Sequence, residues 1–314
     1  MRRRVTEAGF ARVASLALVM LCAIVLTGAL VRLTGSGLGC DDWPNCNSTK
    51  FVDVSSGHAA IEQVNRLFTG LVSASVIAAV LMSHLMVRRR PRVVLLAWLL
   101  VAGVLAQVVI GGVVVLTGLN PWANMAHFLV SMALVSASFA LERLARSTDG
   151  TRLVRPVPPK MVVPRMILVV AALTAVVTGT VVTATGPHAG DENAVRFGFE
   201  LSSVARVHST AVMLTVAMIA LCMWLVRGDG SREGRSAREA LTLLAFVAVL
   251  QAGVGYAQYF SGVPVVLVAI HIAGATGFWL GVCNLVFRPR PDEVIPVRPV
   301  TPSAQADREG AGSR

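Results

Sequence analysis

The sequence predicts an all-α integral membrane protein: eight transmembrane helices forming two tandem four-helix bundles, related by a pseudo-twofold axis along the membrane normal. Three observations predict it. Long apolar runs with almost no charge fill a chain that is 55% hydrophobic and 14% charged, a composition of membrane spans and not of a soluble core. The basic residues behind the net charge of +11 sit in short clusters between those runs, which sets topology and excludes a nucleic-acid face. Polar residues also recur at fixed spacing in the two halves, the mark of an internal repeat.

The elements follow in order. A basic start (Arg2, Arg3, Arg4) precedes an apolar segment at 10–31. That segment is too long for a signal-peptide core and lacks a small-residue cleavage site, so it is expected to stay as an anchor. A polar loop at 32–56 leads to a second helix ending near 87, then a basic turn at 88–92. Helices at 93–116 and 122–141 flank the turn 117–121, and a polar stretch bearing Pro156, Pro158 and Pro159 separates the halves. The plan then repeats. Helices fall at about 162–184, 201–226 and 241–259, and an eighth ends near 287. The expected organisation is an N-terminal half at 1–145, a linker at 146–161, a C-terminal half at 162–287 and a disordered tail at 288–314. Basic clusters lie at the N-terminus, after helices two, four and six, and in the tail. Both termini are therefore expected in the cytoplasm of a plasma-membrane protein, with both long polar loops outside.

The repeat is explicit. Thr27-Gly28 and Thr34-Gly35 recur as Thr178-Gly179 and Thr185-Gly186. Gln107, Gly111 and His127 recur as Gln251, Gly255 and His271 with identical spacing, and the stretch from Glu62 to Asn65 corresponds to the one ending at His208. Each half has four helices, so the repeats share one orientation. Asn65, His127, His208 and His271 each fall about two turns, roughly 10 Å, from the outer ends of their helices. His208 and His271 are thus placed to hold a flat cofactor from both faces. Imidazole suits haem iron, and bundle interiors house such cofactors. A polar group gluing helices together is the simpler use of any one of these histidines.

Glu62, Gln63, Asn65 and Arg66 open the second helix. Ionisable groups at membrane depth point to a functional site, while Glu62 and Arg66 at i and i+4 also suit a local ion pair. Gln107 and Gln251 fit either donors behind the histidines or bonds between helices. Cys40 and Cys46 share one outer loop, close enough to bridge, either as a staple or as a dithiol that exchanges electrons. Cys22, Cys222 and Cys283 read as packing residues. His84 and His188 have no matched partner.

Leu30 through Cys40 (LVRLTGSGLGC), followed by Asp42-Trp43-Pro44 and Cys46, resembles the first outer loop of the haem A synthase family, and Glu62 with Arg66 resembles its second-helix motif. The resemblance covers about 10–287. It implies oxidation of the C8 methyl of haem O to a formyl, giving haem A for terminal oxidases. It implies a substrate haem O in the N-terminal half and a haem B cofactor in the C-terminal half. By position His208 and His271 become haem B iron ligands, His127 a haem O ligand and Glu62 the catalytic carboxylate. Arg66 and Arg206 become candidates for the haem propionates. Implied partners are a haem O synthase, cytochrome oxidase assembly proteins, an electron donor and the lipid bilayer.

One position departs from the family pattern: Asn65 stands where Glu-x-x-His-Arg has histidine. An amide is a weak ligand for iron compared with imidazole. Either one axial histidine suffices, with Asn65 serving water or an oxygen species, or His58 substitutes. His58 lies two turns, roughly 10 Å, nearer the outside, which favours a place at the helix mouth. Two other readings stay open: a b-type cytochrome that only passes electrons, and a haem-binding assembly factor without turnover.

Overall fold

The computed structural model describes residues 5–88, 90–147 and 153–287. The basic residues Arg2, Arg3, Arg4 and Arg89, and the tail at 288–314 expected to be disordered, lie outside them. Among the described residues are eight long helices: α1 (Glu7–Leu33), α2 (Gly57–Leu85), α3 (Pro91–Leu116), α4 (Pro121–Arg146), α5 (Val162–Thr185), α6 (Leu201–Val226), α7 (Arg232–Phe260) and α8 (Val265–Val286). A 3-10 turn, Pro159–Met161, leads into α5. At 22 to 29 residues and 1.5 Å per residue, every helix can cross a hydrocarbon layer of about 30 Å.

Two helices are longer than expected. The fourth was expected to end at 141 because Glu142, Arg143 and Arg146 resemble linker. Instead α4 continues to Arg146 and buries Glu142 completely. Arg146 Nε donates to Glu142 Oε1 at 2.5 Å, and Ser15 of α1 donates to the same oxygen at 3.4 Å. The seventh helix was expected from 241, but α7 begins at Arg232, where the Ser231 hydroxyl caps the Gly234 N–H at 3.0 Å. Charges that would end a membrane span only carry these helices beyond it.

The first half closes as a ring, with α1 on α2 and α4, and α3 on α2 and α4. In the second half α5 packs on α6, α6 on α7, α7 on α8, and α8 back on α5. Small residues allow the approach: Ala14, Ala17, Ala79, Ala97 and Ala172 are fully buried. A Cβ on Gly103 would come within 2.4 Å of Leu134 Cδ2. Close contact of this kind is what binds helices where lipid removes the hydrophobic drive. The outward faces carry exposed Leu16, Leu71, Leu105, Val170, Leu214 and Phe246.

The halves meet through α1–α8, α4–α5 and α4–α8. Exchange of the halves maps the first pair onto the second and the third onto itself. Within the α4–α8 seam, Trp279 Nε1 donates to Ser136 Oγ at 2.8 Å and to Met132 O at 3.2 Å. The repeat extends to the backbone of the short turns. Gly118 (φ 63°) and Leu119 (φ 61°) between α3 and α4 match Gly262 (φ 77°) and Val263 (φ 59°) between α7 and α8.

Candidate functional site

The repeated polar residues lie on diagonal helices: His208 on α6 with His271 on α8, and Asn65 on α2 with His127 on α4. Each is six to eight residues past the start of its helix, about 9–12 Å along the axis, at the end that bears the long loops 34–56 and 186–200.

In the second half, His208 and His271 are half-buried, with ring centroids 6.5 Å apart and planes at 85°. Two metal–imidazole bonds of about 2 Å each, with half a ring at either end, need a similar gap. Thr178 Oγ1 donates to Thr174 O at 2.8 Å, so toward His208 Nδ1, 3.2 Å away, it acts as acceptor. Nδ1 then carries the proton and Nε2 keeps the lone pair that a metal requires. Gln251 Nε2 donates to His271 O at 2.6 Å and lies 3.0 Å from His271 Nδ1. Glycines make room for the rings, since a Cβ on Gly179 or Gly255 would come within 3.1 or 3.0 Å of the facing Cε1. The donor set and spacing fit a haem iron held by two imidazoles.

The first half has the same frame with one substitution. Thr27 Oγ1 donates to Asn65 Oδ1 at 2.8 Å, at the position where Thr178 accepts from His208. Gln107 Nε2 donates to His127 O at 2.9 Å, as Gln251 does to His271. Gly111 faces His127 Cε1, where a Cβ would lie 3.6 Å away. His127 Nδ1 and Gln107 Oε1 are buried and lack a hydrogen-bond partner among the described residues. Buried polar atoms left unpaired are rare in a finished structure, which fits a ligand entering here.

At the same end of the helices the loop 34–56 is fastened onto α2 and α3. Cys40 and Cys46 form a disulfide and are each 1% exposed. The Cys40 N–H donates to Glu62 Oε2 at 2.8 Å, and Gln63 Oε1 lies 3.8 Å from Cys40 Sγ. Gly39 permits this approach, because its Cβ would sit 2.3 Å from His58 O. Trp43 lies against Gly112 of α3, where a Cβ would meet its ring at 2.8 Å. Arg66 donates to Glu62 Oε1 at 2.7 and 3.0 Å, to Asn45 O at 2.9 Å and to Asp42 O at 3.1 Å. The ion pair at i and i+4 is therefore made, and Arg66 faces the loop carbonyls.

Arg206 is exposed, donates to Ser202 O and Ser203 Oγ, and interacts electrostatically with Glu200. His58 is exposed at the helix mouth, its Nδ1 2.9 Å from Ser36 Oγ. His84 Nε2 accepts from Trp98 Nε1 at 3.1 Å, and His188 Nε2 donates to Val263 O at 2.8 Å. Cys222 and Cys283 are buried and Cys22 half-buried, all unbridged. Arg32, inside the loop motif, is a further candidate that the sequence does not single out. Its stem lies beside Gly190 of the other half, and its guanidinium has no partner among the described residues. Its place at the seam carries no periodic signal that sequence reading can detect.

Residues 11–55 and 49–282 match the family described as cytochrome oxidase assembly protein. A protein named heme A synthase from Lysinibacillus sphaericus (strain C3-41) is 33% identical over 134 residues, 42% of this chain and 44% of that relative. Proteins of the same name from Listeria welshimeri and Listeria monocytogenes (serovar 1/2a) are 26% and 27% identical over 288 residues. Those alignments cover 86% of this chain and 92% of each relative. An eight-helix chain matched along nearly its whole membrane region belongs to the cytochrome oxidase assembly protein family.

Proposed function

We infer that this chain is a haem A synthase, a multi-pass membrane oxidoreductase that converts haem O to haem A. The observation that carries the assignment of its residues is the duplicated frame of threonine, glutamine and glycine around His208 and His271, and again around Asn65 and His127.

The second half holds the resident haem, of the B type, through His208 and His271. When bound, that haem supplies a one-electron relay for the oxidation. Thr178 fixes the His208 tautomer, and Gln251 orients His271 through its carbonyl. The first half holds substrate haem O, with His127 as its iron ligand. Glu62 lies between Arg66 and the disulfide loop and is the one carboxylate on α2. It is the group placed to hold a proton beside the reacting methyl, since each carboxylate oxygen has more than one acceptor site. Arg66 holds Glu62 and the loop, so Arg32 and Arg206 are the guanidiniums left to meet propionates. The positive-inside distribution supports an orientation with this end outside and both termini in the cytoplasm.

Pigment extraction from membranes that contain the full chain and are supplied with haem O tests the reading. Haem A is expected in wild type, and His208→Ala and His271→Ala should each remove the low-spin b-type spectrum. Haem B bound without any haem A formed would instead indicate an electron-passing cytochrome.

A further inference from the structure

We propose that in the first half the substrate iron has one strong protein ligand, His127, and that Asn65, oriented by Thr27, aims an amide N–H at a small molecule on the iron's other face. The inference rests on the assignment of haem O to this half and says what occupies the position that histidine fills in the second half.

The hydrogen-bond frame shows why Asn65 is a donor. Thr178 spends its hydrogen on Thr174 O at 2.8 Å and accepts from His208. Thr27 is placed differently. Its nearest acceptor is Asn65 Oδ1 at 2.8 Å, and Ile24 O lies farther off at 3.3 Å. The hydroxyl therefore donates to the amide oxygen. That oxygen is the one atom through which asparagine could bind iron, and it is turned to α1. The amide nitrogen has no free lone pair and can only donate. It has no acceptor among the described residues.

Size points the same way. The asparagine nitrogen is one bond nearer its Cα than imidazole Nε2, so Asn65 stops short of a ligand's position. His127 keeps the backbone hold that its counterpart has, through Gln107. His58 supplies no replacement, because its ring is held at the helix mouth by Ser36, itself 2.9 Å from Thr34 Oγ1. An open face with a hydrogen-bond donor over it suits a small anionic or polar diatomic, or water.

Cyanide is the probe. The full chain in detergent, loaded with haem O, is followed by ferric absorption and electron paramagnetic resonance during a cyanide titration. Two populations are expected: a low-spin, cyanide-inert haem from the second half and a high-spin, cyanide-binding haem from the first. Asn65→Leu keeps the shape and loses the donor, and should weaken cyanide binding about tenfold, the scale of one hydrogen bond to a charged group. Thr27→Val should weaken it in the same direction. Asn65→His should turn the first site low-spin and cyanide-inert.

A wild-type first site that is already low-spin and cyanide-inert overturns the proposal, as does Asn65→Leu with unchanged cyanide affinity. Should Asn65→Leu fail to load haem, the wild-type spin state decides. The same membranes report haem A. Haem A formed beside a cyanide-inert first site sinks this inference alone. Absence of both haem A and a second haem removes the reading beneath it.

Discussion

Glu62 is 5% exposed, and both its oxygens accept hydrogen bonds, one from the Cys40 amide and one from Arg66. A buried carboxylate so held fastens the loop, and under the proposed function it is also the reacting group. The two roles separate by substitution. Glu62→Gln keeps the volume but carries no charge, so the variant should insert and load haem yet lose at least about a hundredfold in haem A formation, the lower end of acid–base catalysis. Arg66→Gln frees the loop carbonyls but leaves the carboxylate, and should lose far less. Equal losses measured in the two variants would make Glu62 a clamp only. The pair itself was legible from its i and i+4 spacing. Its reach to Asn45 O and Asp42 O was not, because contacts between a helix and a distant loop leave no periodic trace.

Among the elements, the two long loops solve one problem by different chemistry. The first is stapled by Cys40–Cys46. The second has no cysteine, and there Arg196 gathers Gly186 O, Pro187 O, Asp191 O and Ala194 O within 3.4 Å. The first loop is further ordered by Asp53. The Ser55 hydroxyl and amide beside it, with Lys50, hold its carboxyl down to about 2. A depressed carboxyl contributes order above the usual aspartate range and loses it as pH falls through about 2, so this contact adds no pH dependence near neutrality. If the disulfide is a staple, a Cys40→Ser/Cys46→Ser double variant should melt earlier, for about 2 kcal/mol from so short a loop, and keep most of its haem A formation. A folded, haem-loaded double variant with almost no activity would show a redox role instead. The cysteines stood out in the sequence and Arg196 did not, since an arginine binding carbonyls looks like any other charge. For the same reason the last turn of α4 and the first turns of α7 read as loop.

The whole molecule depends on how its halves are joined. The repeat was legible from spacing alone, and the structure adds the matched turns and the exchangeable seam. What joins the linker end was not legible, because Arg155 lies in a proline-bearing polar stretch that reads as a passive connection. Arg155 is 3% exposed. It donates to Asn284 O at 3.0 Å, Asn284 Oδ1 at 3.3 Å, Ser236 O at 3.1 Å and Ser236 Oγ at 2.5 Å. Its own amide donates to Val286 O at 2.8 Å, and Arg165 donates to its carbonyl at 2.8 Å. Asn284 Oδ1 also accepts from Arg143 of α4 at 3.0 Å. One linker residue thus ties α5, α7 and α8, and through Asn284 reaches α4 in the other half. A buried guanidinium in such a web is costly to truncate, because the acceptors it served are left unpaired in a dry setting. Arg155→Ala should therefore cost about 3 kcal/mol, seen as a lower apparent melting temperature in detergent and faster proteolysis of the linker. Arg155→Lys should recover little, since a single ammonium cannot serve Asn284 and Ser236 with a planar fork. The b-type spectrum should survive in both, because His208 and His271 lie at the opposite end of their helices. Unchanged melting and an equally resistant linker in Arg155→Ala would mean that the seam of α4 and α8, with Trp279 across it, holds the halves without the strap.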